Sequence, residues 1–180
     1  MIKKIFTGIA AALIMTVSTA AAPIIATQQD EDFATKREIR KKLVTLPYYG
    51  IFDNLAYKLE GDTVILSGQT VRPSTRKDAE RRVRKIEGID RVVDNIEVLP
   101  LSRFDDRIRI SAFRAIFRAG SLYRYAQGAN PAIHIIVKNG HLTLEGVVGS
   151  EGDSRLAYIT ARGVSDVFSV TNNLRIEDRY

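Results

Sequence analysis

The sequence predicts an α+β fold of two tandem αββαβ domains, each a three-stranded sheet packed on two helices. Three observations carry that expectation. Leu55–Val98 lies over Ile133–Ile176 at a constant offset of 78 residues without a gap. Val64-Ile65-Leu66-Ser67-Gly68 falls on Leu142-Thr143-Leu144-Glu145-Gly146, Ala79 on Ala157, and Asp94-Asn95-Ile96 on Asn172-Asn173-Leu174. Such self-similarity marks a duplicated structural unit. Second, both copies hold two alternating segments around a two-residue turn, the pattern of a β-hairpin. Third, a helical segment and one more strand follow each hairpin, and a helical crossover returns that strand parallel to the second.

Taken in order, residues 1–22 read as a secretory signal. Lys3 and Lys4 supply its positive start, Ile5 to Val17 its apolar core, and Ser18-Thr19-Ala20-Ala21-Ala22 its cleavage zone. The apolar run is too short for a bilayer span of roughly 20 residues. Pro23 disfavours cutting after Ala22 and so favours Ala20 or Ala21; an uncleaved amphipathic helix is the alternative. Residues 23–34 read as a short polar linker, 35–100 as the first domain and 101–180 as the second. The periplasm is the expected compartment. With no Cys in the chain, disulfides, thiolate metal sites, thiol catalysis and a lipid anchor on an N-terminal Cys are not expected.

In the first copy, Ile39, Leu43 and Leu46 recur at helical spacing over Thr35–Leu46, and Pro47 stops the helix. Leu55–Glu60 and Thr63–Gln69 alternate around Gly61-Asp62, which suits a type II′ turn with Gly first. Thr75 and Asp78 resemble a capping pair opening a helix to about Ile86, with Ala79, Val83 and Ile86 inward. Gly88 ends it, and Arg91–Leu99 forms the third strand. In the second copy, Asp105 or Asp106 opens a helix to about Ala119, with Ile108, Ala112, Ala115, Ile116 and Ala119 inward and Arg107, Arg114 and Arg118 on another side. Nine residues are inserted before its strands, within Ser121–Pro131. Ile133–Lys138 and His141–Val147 flank Asn139-Gly140, the composition of a type I′ turn. Ser154–Arg162 is the second helix and Val167–Glu177 holds the last strand. Gly68 and Gly146 mark a bulge or a close helix contact. Each copy is near the size at which burial only just offsets chain entropy, so the copies are expected to pack together.

Charge is mildly basic throughout. The formal net charge is +6, or +4 without Lys3 and Lys4, and both halves carry an excess of basic side chains. In an envelope compartment that suits anionic phospholipid or other acidic surface groups; a solvated charged surface is the alternative.

The helix, the hairpin with its apolar-x-apolar-x-Gly strand, the Ala-containing helix and the closing strands Val93-Asp94-Asn95-Ile96-Glu97-Val98 and Val170-Thr171-Asn172-Asn173-Leu174-Arg175-Ile176 together resemble the BON domain, named for bacterial OsmY and nodulation proteins. The resemblance covers about residues 36–178. It implies a periplasmic, non-enzymatic protein. Two-domain members of that family are associated with anionic phospholipid, outer-membrane integrity and envelope stress. Some are lipoproteins; this chain has no Cys to acylate, so a membrane contact would be peripheral and made by side chains. The shared motif positions look like fold determinants, and no functional residue is carried over.

Two groups of residues are candidates for anion or lipid contact. On the basic helix Thr75–Ile86 they are Arg76, Lys77, Arg81, Arg82, Arg84 and Lys85; the alternative is an ordinary solvated helix balanced by Asp78, Glu80 and Glu87. Around the insertion they are Arg114, Phe117, Arg118, Tyr123, Arg124 and Tyr125, aromatics beside arginines as at a membrane interface; packing between the copies is the alternative. His134, His141 and Glu145 share a strand face but are too few for a metal site, and read as exposed strand residues. Gly149-Ser150-Glu151-Gly152 has the spacing of a nucleic-acid clamp without its basic residues. No nucleophile elbow, phosphate-cradling Gly-rich loop with Lys, or His-Glu-x-x-His is present. No enzyme activity, cofactor or nucleic-acid partner is expected. The expected function is binding of anionic phospholipid or membrane-associated partners in envelope maintenance or stress; the alternative is a soluble chaperone-like or scaffolding envelope protein without lipid preference.

Overall fold

The computed structural model describes residues 22–128 and 130–177, through which one αββαβ topology runs twice. In the first unit α1 (Ala22–Val44) precedes the hairpin of β1 (Asn54–Glu60) and β2 (Thr63–Thr70), then α2 (Pro73–Val83) and β3 (Arg91–Val98). In the second, α3 (Arg103–Arg118) and a 3-10 helix (Gly120–Ala126) precede β4 (Ile133–Lys138) and β5 (His141–Val148), then α4 (Glu151–Arg162) and β6 (Ser169–Ile176). Each unit forms its own sheet, β1-β2-β3 and β4-β5-β6, antiparallel in the hairpin and parallel across the crossover. The parallel register is also the same: Thr63 faces Arg91, His141 faces Ser169, and both pairs are 28 residues apart. The duplication extends to strand pairing.

Alternation along the strands places the two cores. Val64 and Leu66 of β2 meet Ile39 and Leu43 of α1, Ala79 and Val83 of α2, and Ile96 of β3. In the second unit Ile133, Ile135, Val137, Leu142 and Leu144 point toward Ile108, Ala112 and Ile116 of α3 and Ala157 and Ala161 of α4. Both turns have the backbone their residues suit. At Gly61-Asp62 only Gly61 has a positive φ, 61°, whereas Asn139 and Gly140 both do, at 53° and 79°.

Gly68 and Gly146 mark neither a bulge nor a helix contact. Pairing runs through both without interruption, Leu55 opposite Gly68 and Ile133 opposite Gly146. A Cβ at Gly68 would sit 2.0 Å from the Asn54 carbonyl oxygen, and one at Gly146 equally close to that of Ala132. The close approach is to the backbone entering the neighbouring strand.

Helix ends depart from the sequence reading in instructive ways. Residues 23–34, expected as a linker, belong to α1. The stretch holds Ala, Gln and Glu, which favour helix, and Pro23 stands in the first turn, where its missing N–H costs no helical bond. Its polarity does not mark irregular backbone. Similarly, α2 starts at Pro73, with Arg72 as its N-cap residue and no side-chain cap; Thr75 lies buried inside the helix, which ends at Val83 instead of Ile86. Ser102 caps α3 by accepting from the Asp105 amide, and Ser150 caps α4 by accepting from that of Asp153. The Gly149–Gly152 segment is thus the start of a helix.

The insertion folds back on its own unit. Leu122 and Tyr125 of the 3-10 helix join the second core, so it does not bridge the copies. The loop between α1 and β1, together with an ion pair between β3 and β4, joins the copies. The Ile135 amide on the outer edge of β4 donates to the Ile51 carbonyl at 2.7 Å. The Phe52 and Phe113 rings meet edge-on, their centroids 6.4 Å apart. Lys138 reaches Glu97 at 2.5 Å.

His134, expected to be exposed, is buried at this joint. The Gly50 carbonyl accepts from its Nδ1 at 3.3 Å, and the Tyr49 ring lies beside it. Burial pushes the His134 pKa below its ordinary 6.5, against the opposing pull of the Gly50 carbonyl, Asp53 and Glu145. The unfolded chain therefore takes up a proton near pH 6.5 while the native chain stays neutral. Stability is complete above that value and declines as the pH falls toward the native pKa. Urea midpoints measured from about pH 7.5 to 5.5 should fall more steeply for the wild type than for His134→Gln; parallel profiles would show that this ring does not titrate differently on unfolding.

Candidate functional site

The side chains singled out on the sequence do not converge on one surface. On α2 most of the cations already have partners. Arg76 Nε donates to the Asp94 carboxylate at 2.8 Å, Arg81 pairs with Asp78, and Arg84 with Glu80. Arg82 Nη1 donates to the Thr45 carbonyl at the end of α1, 3.0 Å away. Lys77 and Lys85 stay exposed without ion pairs. Exposed pairs of this kind are worth less than about 1 kcal/mol. Their effect is to lower the net charge this face offers an anion.

Arg124 is engaged in a different way. Its guanidinium donates to the Asp153 carboxylate at 2.6 Å and to the Tyr125 hydroxyl at 2.8 Å. Tyr125 in turn donates to Asp153 at 2.9 Å and accepts from the Gly149 amide at 2.8 Å. Ser150 and Ser121 also donate to Asp153. These donors, Ser150 foremost, hold the Asp153 carboxyl below its usual range against the opposing effect of burial. The network ties the 3-10 helix to the first turn of α4. It positions the insertion, and Arg124 and Tyr125 are parts of that tie.

The α3 residues remain available, with one exception. Phe117 is only 9 % exposed, packed in the second core and against the Phe113 ring. The Arg114 and Arg118 side chains are exposed and, among the described residues, make no ion pair or hydrogen bond; Arg107, also exposed, lies over the Phe104 ring. Spacings of seven and four residues put these three arginines on one stripe of the helix. Beside the stripe, Ile110 is 47 % and Phe113 37 % exposed, and Tyr123 of the 3-10 helix is 58 % exposed. Ile110 and Phe113 were not among the sequence candidates. Their spacing with Phe117, at i, i+3 and i+7, was the available signal. A cationic stripe beside a partly exposed apolar strip has the chemistry that interfacial helices present.

Among the described residues no group of three or more His, Asp or Glu is placed to hold a metal ion, and no helix is long and apolar enough to cross a membrane. The expected signal and its cleavage zone fall on residues 1–21, outside the described residues, apart from Ala22, which opens α1.

The fold is that of two tandem α+β domains, and no catalytic constellation is visible among the described residues. The BON domain family model matches residues 32–100 and again 122–178. The chain belongs to the BON domain family. No curated protein matches the chain. Among solved structures it is similar to CdsD, a structural protein of the type III secretion system of Chlamydia trachomatis, at 8% identity and a TM-score of 0.32 over 78% of this chain and 91% of that one. The C-terminal domain of CdsD gives 9% identity and a TM-score of 0.28 over 79% and 96%.

Proposed function

We propose that this BON protein is a non-enzymatic binding protein of the bacterial envelope that adsorbs reversibly to anionic phospholipid, with α3 as its contact helix. The observation that carries the reading is the stripe of Arg107, Arg114 and Arg118 beside half-exposed Ile110 and Phe113. Guanidinium groups pair with headgroup phosphates in charge-assisted hydrogen bonds, while Ile110, Phe113 and Tyr123 insert shallowly. The signal read on residues 1–22 and the family support a periplasmic location and a role in envelope maintenance or stress.

Co-sedimentation with vesicles tests this. Binding should require phosphatidylglycerol over phosphatidylcholine and weaken as salt screens the charges. Arg114→Glu with Arg118→Glu should lower affinity at least about tenfold, since each basic residue near such a surface contributes about 1 kcal/mol. The matched pair Arg81→Glu and Arg84→Glu should do much less, because each arginine there has an acidic neighbour. Binding indifferent to headgroup charge would sink the lipid reading and favour a chaperone-like or scaffolding role in which the apolar strip holds other polypeptides.

A further inference from the structure

We propose that the groove between α1 and α2 of the first unit is a binding site for a phosphate group carrying two or more negative charges, a phosphomonoester or a diphosphate. The groove has a volume of about 490 Å³ and is lined by Arg37, Lys41 and Lys42 of α1, with Glu38 and Thr45, and by Arg82 from α2. It lies in the other unit from α3 and uses other residues, so it stands independently of the phospholipid reading.

The balance of charge separates this groove from the remaining basic surface. The Arg37 and Lys41 side chains are exposed and, among the described residues, make no ion pair or hydrogen bond. Lys42 has only a loose contact with Glu38 at 3.6 Å. Arg82 is held at the groove by the Thr45 carbonyl, 3.0 Å from its Nη1. Four cations thus face a single carboxylate. The opposing field is that of the α1 C-terminus, equivalent to about half a negative charge. Its last carbonyls are already occupied: that of Lys41 accepts from the Thr45 amide and hydroxyl, and that of Thr45 accepts from Arg82. More than two positive charges remain uncompensated. A phosphomonoester above its second pKa of about 6 carries nearly two negative charges and fits that excess better than a singly charged diester. Two guanidinium and two ammonium groups also supply the fork-shaped and point-like donors that phosphate oxygens accept.

Calorimetric titration of the protein with inorganic pyrophosphate and with orthophosphate tests the site. Saturable binding is expected, tighter for pyrophosphate and weakened by salt. Arg37→Gln with Lys41→Gln should reduce it about tenfold or more, the loss expected for two charge-assisted contacts. Lys77→Gln with Lys85→Gln removes the same net charge and should cost clearly less affinity, because neither side chain lines the groove. Arg114→Glu with Arg118→Glu should retain pyrophosphate binding, so the two proposals fail separately. Vesicles identify the source of the phosphate. In the Arg114→Glu, Arg118→Glu background, which removes the α3 contact, retention on phosphatidic acid but not on phosphatidylglycerol, lost on adding Arg37→Gln with Lys41→Gln, assigns a lipid headgroup. Pyrophosphate binding without retention of that background on vesicles assigns a soluble phosphate ester. Absence of saturable binding to both probes overturns the proposal, as does equal loss in the two glutamine variants.

Discussion

Gly146→Ala is expected to destabilise the second unit by about 3 kcal/mol or more. Glycine-to-alanine changes at compatible positions usually stabilise a protein slightly, by reducing the freedom of the unfolded chain. Here the sign reverses for two reasons. The residue has a φ of +127°, and the added methyl would lie 2.0 Å from the Ala132 carbonyl oxygen. That oxygen is backbone and already accepts from the Val147 amide at 3.0 Å, so it yields only if the edge of the hairpin opens. Gly88→Ala is the matched comparison, because its φ is +80° but nothing lies within 4 Å of the new methyl. It should cost about 1 kcal/mol, the backbone term alone. Urea denaturation decides the matter: similar losses in the two variants would mean that the strand can move aside. Gly68, with the same geometry against Asn54, should behave like Gly146.

Asp105→Ala is expected to cost about 2–4 kcal/mol, read by the same denaturation. The side chain is fully buried, and its two oxygens accept from the Gly140 amide at 2.8 Å and the Asn139 amide at 3.0 Å. A carboxylate in the first turn of α3 thus holds the type I′ turn of the β4–β5 hairpin. The charge is favoured there by the positive end of the helix dipole. Alanine removes both acceptors and strands the buried Gly140 amide. Asp105→Asn keeps one acceptor oxygen and should lose about half as much. A loss below about 0.5 kcal/mol for Asp105→Ala would show that water replaces the carboxylate. Asp53 plays a comparable part in the first unit, accepting from the Thr70 hydroxyl and from the Val71 and Gly50 amides.

Sequence patterns with strict periods were legible. The constant offset, the alternation around Gly61-Asp62 and Asn139-Gly140, and the helical crossover led directly to the sheets, their order and the register of the hairpins. What the chain did not disclose was any feature depending on a partner distant in sequence. Asp105 resembles a helix cap until the hairpin is folded against it, and Arg124 resembles a free cation until Asp153 arrives from another helix. His134 alternates as an exposed strand residue should, and is covered only because Tyr49 and Gly50 come from the other unit. Phe117 resembles an interfacial ring because arginines flank it, yet its place on α3 turns it into the core. Of the proposed contact surface, Arg114, Arg118 and Tyr123 were readable from composition alone. Ile110 and Phe113 emerge only once the covered side of α3 is known.

The bond between Ile51 and Ile135 also makes the halves unequal. The core of the leading half is complete within itself, whereas that of the trailing half borrows Ile51 and Phe52 from its predecessor. Severing the chain near Pro100 would leave the former intact apart from a slack loop. The latter would bare one margin of its sheet, with an unpaired amide ready to recruit a foreign strand and promote self-association. Descent from a common module has thus ended in dependence of one copy on the other, and the order of the two cannot be swapped without cost.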